Sequence, residues 1–211
     1  MTGNANQMQA VRWHGPKDLR LEQVPIPEVT EDSLLVEVRA CAICGSDNRT
    51  FTHGSPRISP PRIIGHEICG EIVEVGSNVA PLKVGDPVTA YFYLTCGWCR
   101  WCRRNRETLC EKFSGYVGRG VDGGYAEYIK LPASTFLKLP SGLDYKNHPA
   151  EVGVISDAIA TPVKVIRRAR VLPTDTVAVF GAGGGLGIHM LMLARWAHAR
   201  VIAVESKPQK F

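Results

Sequence analysis

Four cysteines fall within fifteen residues, as Cys96-x-x-Cys99-x-x-Cys102 and, eight residues on, Cys110. Four thiolates at that spacing can close a tetrahedral shell around a zinc ion and leave no open position. Such a site is structural: the metal replaces a core that the loop is too short to build. An iron–sulfur cluster also takes four cysteines and is the rival reading. Coincidentally buried thiols do not fit, because Arg and Trp residues between the cysteines make a poor apolar core. The chain carries seven cysteines, an odd number. It also opens without the apolar segment of a secretion signal, so clustered cysteines point to metal and not to disulfides.

A second constellation lies upstream, in Cys44-Gly45-Ser46-Asp47 and Gly65-His66-Glu67. A thiolate and an imidazole suit a zinc ion that keeps a coordination position open. A third protein ligand is missing from this stretch. Asp47 is a candidate orienter, since a metal-bound histidine usually donates its other N–H to a carboxylate. Glu67 reads as a carboxylate near the metal that can approach when a ligand leaves. Cys41 completes a Cys-x-x-Cys pair with Cys44, but no thioredoxin-like context surrounds it, and it reads as a small apolar core residue.

The rest of the first 140 residues is strand-like and rich in Gly and Pro. Leu19–Glu22 and Leu34–Arg39 alternate as core-facing strands do, and Pro25 and Pro27 stop any helix between them. Trp13-His14-Gly15-Pro16 reads as a turn, with His14 a surface residue. Ile63–Gly76 has strand spacing with glycines at close-approach points, Leu82–Val88 is a turn feeding a strand, and Gly123-Gly124 opens another. The polar segment Met1–Gln9 reads as a frayed tail.

The formal net charge is +5, and Arg100, Arg103, Arg104 and Arg106 crowd the cysteine loop. A solvated zinc lobe is preferred to a nucleic-acid patch there, since no aromatic stacking platform accompanies the charge. No run of about 18 apolar residues offers a membrane span. The expected location is cytoplasmic, with neither nucleic acid nor membrane as a partner.

The periodicity changes after Pro149, where Val152, Ile155, Ile159, Val163 and Ile166 fall at helical spacing. Asp157 sits in this apolar company; spacing alone leaves a helix-capping role open. Asp175–Phe180 reads as a buried parallel strand. It runs into Gly181-Ala182-Gly183-Gly184-Gly185-Leu186-Gly187, a helix from Ile188 to His198, a strand Arg200–Val204, and Glu205. Strand, glycine turn, helix, strand and terminal acid make a dinucleotide-binding unit. The glycines fit Gly181-x-x-Gly184-x-x-Gly187 and not a strict Gly-x-Gly-x-x-Gly. They let the backbone approach a pyrophosphate at the helix N-terminus, and Glu205 would hydrogen-bond the adenosine ribose.

These residues together resemble the zinc-dependent medium-chain alcohol dehydrogenase family, from about Met8 to the end of the chain. The resemblance implies a mixed β and α/β fold. A GroES-like β-barrel catalytic domain (residues 8–148) would be followed by a linking helix and the first part of a Rossmann doubly wound parallel sheet (residues 149–211). It implies two zinc ions per subunit, a structural one on Cys96, Cys99, Cys102 and Cys110 and a catalytic one on Cys44, His66 and Asp157. In this family the third catalytic ligand lies shortly before the Rossmann domain, the place that Asp157 matches. Thr161 matches a residue beside the nicotinamide ring, and Ser46 matches the hydroxyl of a proton relay. Gly181, Gly184, Gly185, Leu186, Gly187 and Glu205 would bind the cofactor.

Two departures stand out. Arg49 occupies the place where the family often has a relay histidine, and a guanidinium cannot accept a proton. The chain also stops where the family continues for another hundred or more residues, so a fragment of a longer parent is expected. The expected activity is reversible hydride transfer between an alcohol or polyol and a nicotinamide cofactor, with NAD favoured over NADP because Glu205 repels a 2′-phosphate. Substrates would be small alcohols, aldehydes or ketones, and the assembly a homodimer or homotetramer. The alternative is a non-catalytic, zinc-stabilised binding module.

Overall fold

The computed structural model describes residues 6–210. Contacts divide the chain between Val154 and Ile155, later than the change of periodicity at Pro149. Each unit is taken in turn.

The first unit begins with an antiparallel hairpin, β1 (Gln7–Gly15) and β2 (Asp18–Pro25). β3 (Ser33–Ala42) follows, then a helix, α1 (Gly45–His53). The next strands are β4 (Arg62–Ile63), β5 (Glu67–Val75), β6 (Pro87–Ala90), β7 (Tyr93–Leu94), β8 (Gly115–Tyr116), β9 (Tyr128–Pro132) and β10 (Phe136–Lys138). A five-stranded sheet runs β10-β6-β5-β3-β9, a three-stranded one β2-β1-β4, and β7 pairs with β8. The pairings within these sheets are antiparallel. Alternation along β3 and β5 puts Leu34, Val36, Ile68 and Ile72 on one buried face, where Val88, Ile129 and Leu131 meet them. Burying each such side chain is worth about 1.5–3 kcal/mol. A short helix, α2 (Pro149–Gly153), packs on β3 and β5 and closes the unit.

Several expectations change here. The supposed turn at Trp13-His14 is strand: Trp13 is buried, and His14 Nε2 lies 2.7 Å from Glu22 Oε1 across the hairpin. Gln7–Gln9 also belong to β1, with Met8 buried, so the tail is not frayed there; Met1–Ala5 lie outside the described residues. Ile63–Gly76 is two strands separated by Ile64–His66. Within the nominally all-β region, α1 is a true helix.

Past α2 the helical stretch is interrupted. A 3₁₀ turn spans Val154–Ser156, and α3 starts afresh at Ala160 and runs to Ala169. Pro162 is the reason: with no N–H it breaks a helix interior but is tolerated in a first turn. β11 (Thr176–Phe180) and β12 (Arg200–Val204) pair in parallel, joined by α4 (Gly185–Trp196). β11 is not the fully buried strand expected: only Val179 is buried and Phe180 is 78% exposed. Among the described residues it has one neighbouring strand. α4 begins three residues before Ile188 and ends at Trp196, short of His198. No described helix is long and apolar enough to cross a membrane.

Candidate metal centres and dinucleotide turn

Cys44 ends the approach from β3 and is the N-cap of α1. Its Sγ accepts from Ser46 N–H at 3.5 Å, and Asp47 Oδ2 accepts from Cys44 N–H at 3.0 Å. Asp47 N–H also donates to the Cys44 side chain, and with the Asp47 carboxylate on Cys44 N–H it forms a capping box with a thiol in place of the usual hydroxyl. A helix N-terminus favours an anion, so the cap suits a thiolate.

His66 stands just before β5, after Gly65 at φ +91°. His66, Glu67 and Asp47 are all buried. His66 Nδ1 lies 3.5 Å from Asp47 Oδ1, the orienting contact expected of Asp47. The Phe92 ring flanks the imidazole at 5.3 Å. Cys44, His66 and Glu67 bring a sulfur, a ring nitrogen and a carboxylate oxygen within 4.8 Å of one another. Two residues after Cys44, Ser46 Oγ is buried without a hydrogen-bond partner among the described residues. A soft sulfur, an imidazole, a carboxylate and an orphaned hydroxyl suit a borderline-soft divalent metal carrying an exchangeable ligand.

Asp157 belongs to the second unit. Its Oδ1 accepts the Thr161 hydroxyl at 2.8 Å, and its carbonyl accepts Thr161 N–H at 2.9 Å. The N-cap of α3 is Ile159, which makes no side-chain cap bond, so Asp157 is not the helix cap. Cys41 is half-buried beside Gly65 and Gly124, with its thiol pushed well above the usual range by burial and then by Asp47, in keeping with an unreactive core residue.

The other four cysteines converge as expected. Their sulfurs lie within 4.8 Å of one another, with the 99–102 and 96–110 pairs at 3.5 Å and the 96–102 pair at 3.9 Å. Edges of a ZnS₄ tetrahedron with bonds of about 2.3 Å are about 3.8 Å, so the shell fits. Backbone N–H groups prepare it: those of Cys102 and Glu111 hold the Cys99 thiol down to about 6. Burial pushes Cys102 up to about 12, and a bound metal would displace that proton. Around the shell, Arg100 pairs with Glu111 and lies over Trp101, and Lys112 lies over Trp98. Trp98 is 57% exposed, with Lys112 lying over its ring.

In the second unit the glycine turn links β11 to α4. Gly181 adopts φ +70°, and a Cβ on Gly187 would fall 2.2 Å from Gly181 O. Gly184 caps α4 with no side-chain bond, so the first N–H groups of the helix are available to an anion. Glu205 Oε2 accepts Gly183 N–H at 3.0 Å, while Oε1 accepts Ser206 and Lys207 N–H at 2.9 and 3.1 Å. Those N–H groups, Lys207 first, hold its carboxyl below the usual range. Thr161, Leu186 and Gly187 share a shallow cavity of about 190 Å³ with Val179 and Phe180.

Comparison with known proteins shows the family and the fold. The alcohol dehydrogenase GroES-like domain family matches residues 30–141, more than half of the chain. An alcohol dehydrogenase of Geobacillus stearothermophilus is 39% identical over 198 residues, covering 92% of this chain and 56% of that protein. L-galactonate-5-dehydrogenase of Escherichia coli K12 is 33% identical over 195 residues, covering 92% and 55%. The cobalt- and zinc-bound thermostable alcohol dehydrogenase of Pyrobaculum aerophilum superposes with a TM-score of 0.86 at 28% identity, over 96% of this chain and 61% of that one. The chain thus spans about half the length of the curated relatives it matches. Its mixed β and α/β architecture, with a curled antiparallel sheet ahead of a glycine-turn unit, is theirs. The chain belongs to the zinc-dependent medium-chain alcohol dehydrogenase family, through its GroES-like domain.

Proposed function

We propose that this chain carries the metal-binding part of an NAD-dependent alcohol or polyol dehydrogenase. The observation that carries the reading is the convergence of Cys44, His66 and Glu67, with the partnerless Ser46 hydroxyl two residues after Cys44. Cys44, His66 and Asp157 would hold a catalytic zinc, and Cys96, Cys99, Cys102 and Cys110 a structural one. The catalytic zinc would supply a Lewis acid that lowers an alcohol's pKa, and a bound nicotinamide the hydride acceptor.

The chain's own residues do the rest. Ser46 Oγ accepts the alcohol proton and passes its own onward. Arg49, exposed on α1, presents a guanidinium, which has no acceptor atom and cannot serve as the outer base, so the side-chain relay ends at Ser46. Asp47 holds the imidazole of His66 in one orientation. Glu67 stays close enough to shield the site when a ligand departs. Thr161 steadies Asp157. The turn from Gly181 to Gly187 receives the pyrophosphate, and Glu205 selects against a 2′-phosphate.

The test is Cys44→Ser in the full-length protein. The expected result is the loss of one of two zinc ions and a fall in turnover to background, with the four-cysteine zinc retained. Turnover that persists without that zinc would sink the assignment.

A further inference from the structure

Asp47 does more than face His66. Oδ1 lies 3.5 Å from His66 Nδ1, and Oδ2 accepts Cys44 N–H at 3.0 Å. One carboxylate thus spans both residues of the metal pair. Its orientation sets where the imidazole and the thiolate point. A carboxylate held on one side only by a backbone N–H can swing about its Cβ–Cγ bond, and the side chain that stops it comes from far along the chain. The Tyr125 hydroxyl donates to Asp47 Oδ2 at 3.1 Å, across a sequence separation of 78 residues.

Tyr125 is well placed to act as a fixed post. Its N–H donates to Ile64 O at 3.1 Å, and its carbonyl accepts from Val11 N–H at 2.7 Å. It packs against two buried clusters, Met8 with Ala10 and Ile63, and Trp13 with Ile58 and Ile64. It passes so close to Gly65 that a Cβ there would fall 2.5 Å from Tyr125 Cδ1. The residue next to His66 is therefore shaped to admit this ring.

We propose that Tyr125 is a positioning residue for the Cys44–His66 metal pair, acting through Asp47. The inference rests on the zinc reading given above. Partners of this kind change metal affinity by about 10–100-fold when removed, because they fix the ligand's orientation and basicity.

Tyr125→Phe removes one oxygen and keeps the ring in its seat. In the full-length protein loaded with cobalt, the variant is expected to bind metal at the Cys44–His66 site about tenfold more weakly. Its thiolate-to-cobalt absorption band should also shift. Metal on the four cysteines serves as an internal folding control and should be unchanged. In an Asp47→Ala background the same substitution should add nothing, since the pair acts as a unit.

An affinity and spectrum equal to wild type, with only a lower melting temperature, would reduce Tyr125 to a packing role and overturn the proposal. Additive effects of the two substitutions would overturn its route through Asp47. A wild-type protein that takes up only the four-cysteine metal would overturn the zinc reading and this inference with it, and so separates the two failures.

Discussion

Glu205 serves two ends with one carboxylate. It ties the glycine turn to the end of β12 through Gly183 N–H, and under the proposed function its charge would meet an adenosine ribose. Glu205→Gln keeps an acceptor oxygen for the backbone but removes the charge. The ratio of kcat/KM for NADP over NAD is expected to rise about tenfold, the effect of one lost charge interaction of about 1.4 kcal/mol. An unchanged ratio would place cofactor choice on other residues, with Lys207 the first to examine. Single residues were legible in the sequence where chemistry and spacing were local. The four cysteines and the terminal acid announce themselves within short windows. Tyr125 does not, because its partner Asp47 lies 78 positions away and only folding brings them together.

Many elements were legible where a hydrophobic period formed them; β1 was not, its alternation of Met8 and Ala10 slipping by one residue before Trp13. β3 and β5 bury alternating aliphatics, and β11, the glycine turn, α4 and β12 follow one another in the order their residues dictate. α1 escaped because it has no apolar stripe: its buried residues are Asp47 and Thr50, and its cap uses a cysteine. It is held by its capping box and by the contacts of Asp47. The break before α3 follows from Pro162, which fits a first turn and not a helix interior. The glycine turn makes a sharper prediction. A methyl on Gly187 would meet backbone, Gly181 O at 2.2 Å, with no flexible side chain to yield. Gly187→Ala should destabilise the second unit by about 1–3 kcal/mol. It should also weaken NAD binding at least tenfold by titration, while the zinc held by Cys96, Cys99, Cys102 and Cys110 stays in place. Normal NAD affinity would argue against the pyrophosphate resting on this turn.

At the scale of the molecule, a set of carboxylates shares one direction of shift. Asp18, Glu22, Asp86, Asp144, Glu151 and Glu205 are all held below their ordinary range, chiefly by hydrogen bonds they accept in the folded state. Ordinary unfolded values are about 3.9 for Asp and about 4.3 for Glu. A group depressed on folding contributes stability that is fully present above its unfolded pKa and is lost as pH falls through its folded pKa. The melting temperature should therefore lose this contribution progressively as pH drops below about 4–5. Asp86 is the member whose removal tests the account most directly. Its side chain is buried, with Oδ1 on the Lys138 ammonium of β10 and Oδ2 on the N–H of Lys83, so it ties the turn before β6 to the neighbouring strand. Lys138 is the main cause of its shift. Asp86→Asn has no proton to take up over this range. It should melt lower than wild type at neutral pH and approach the wild-type value as pH falls. Acid release of metal is common to both proteins and cancels in the comparison. A difference between the two that stays constant from pH 7 to pH 3 would show that Asp86 acts through shape alone, and that the acid limb arises from other groups.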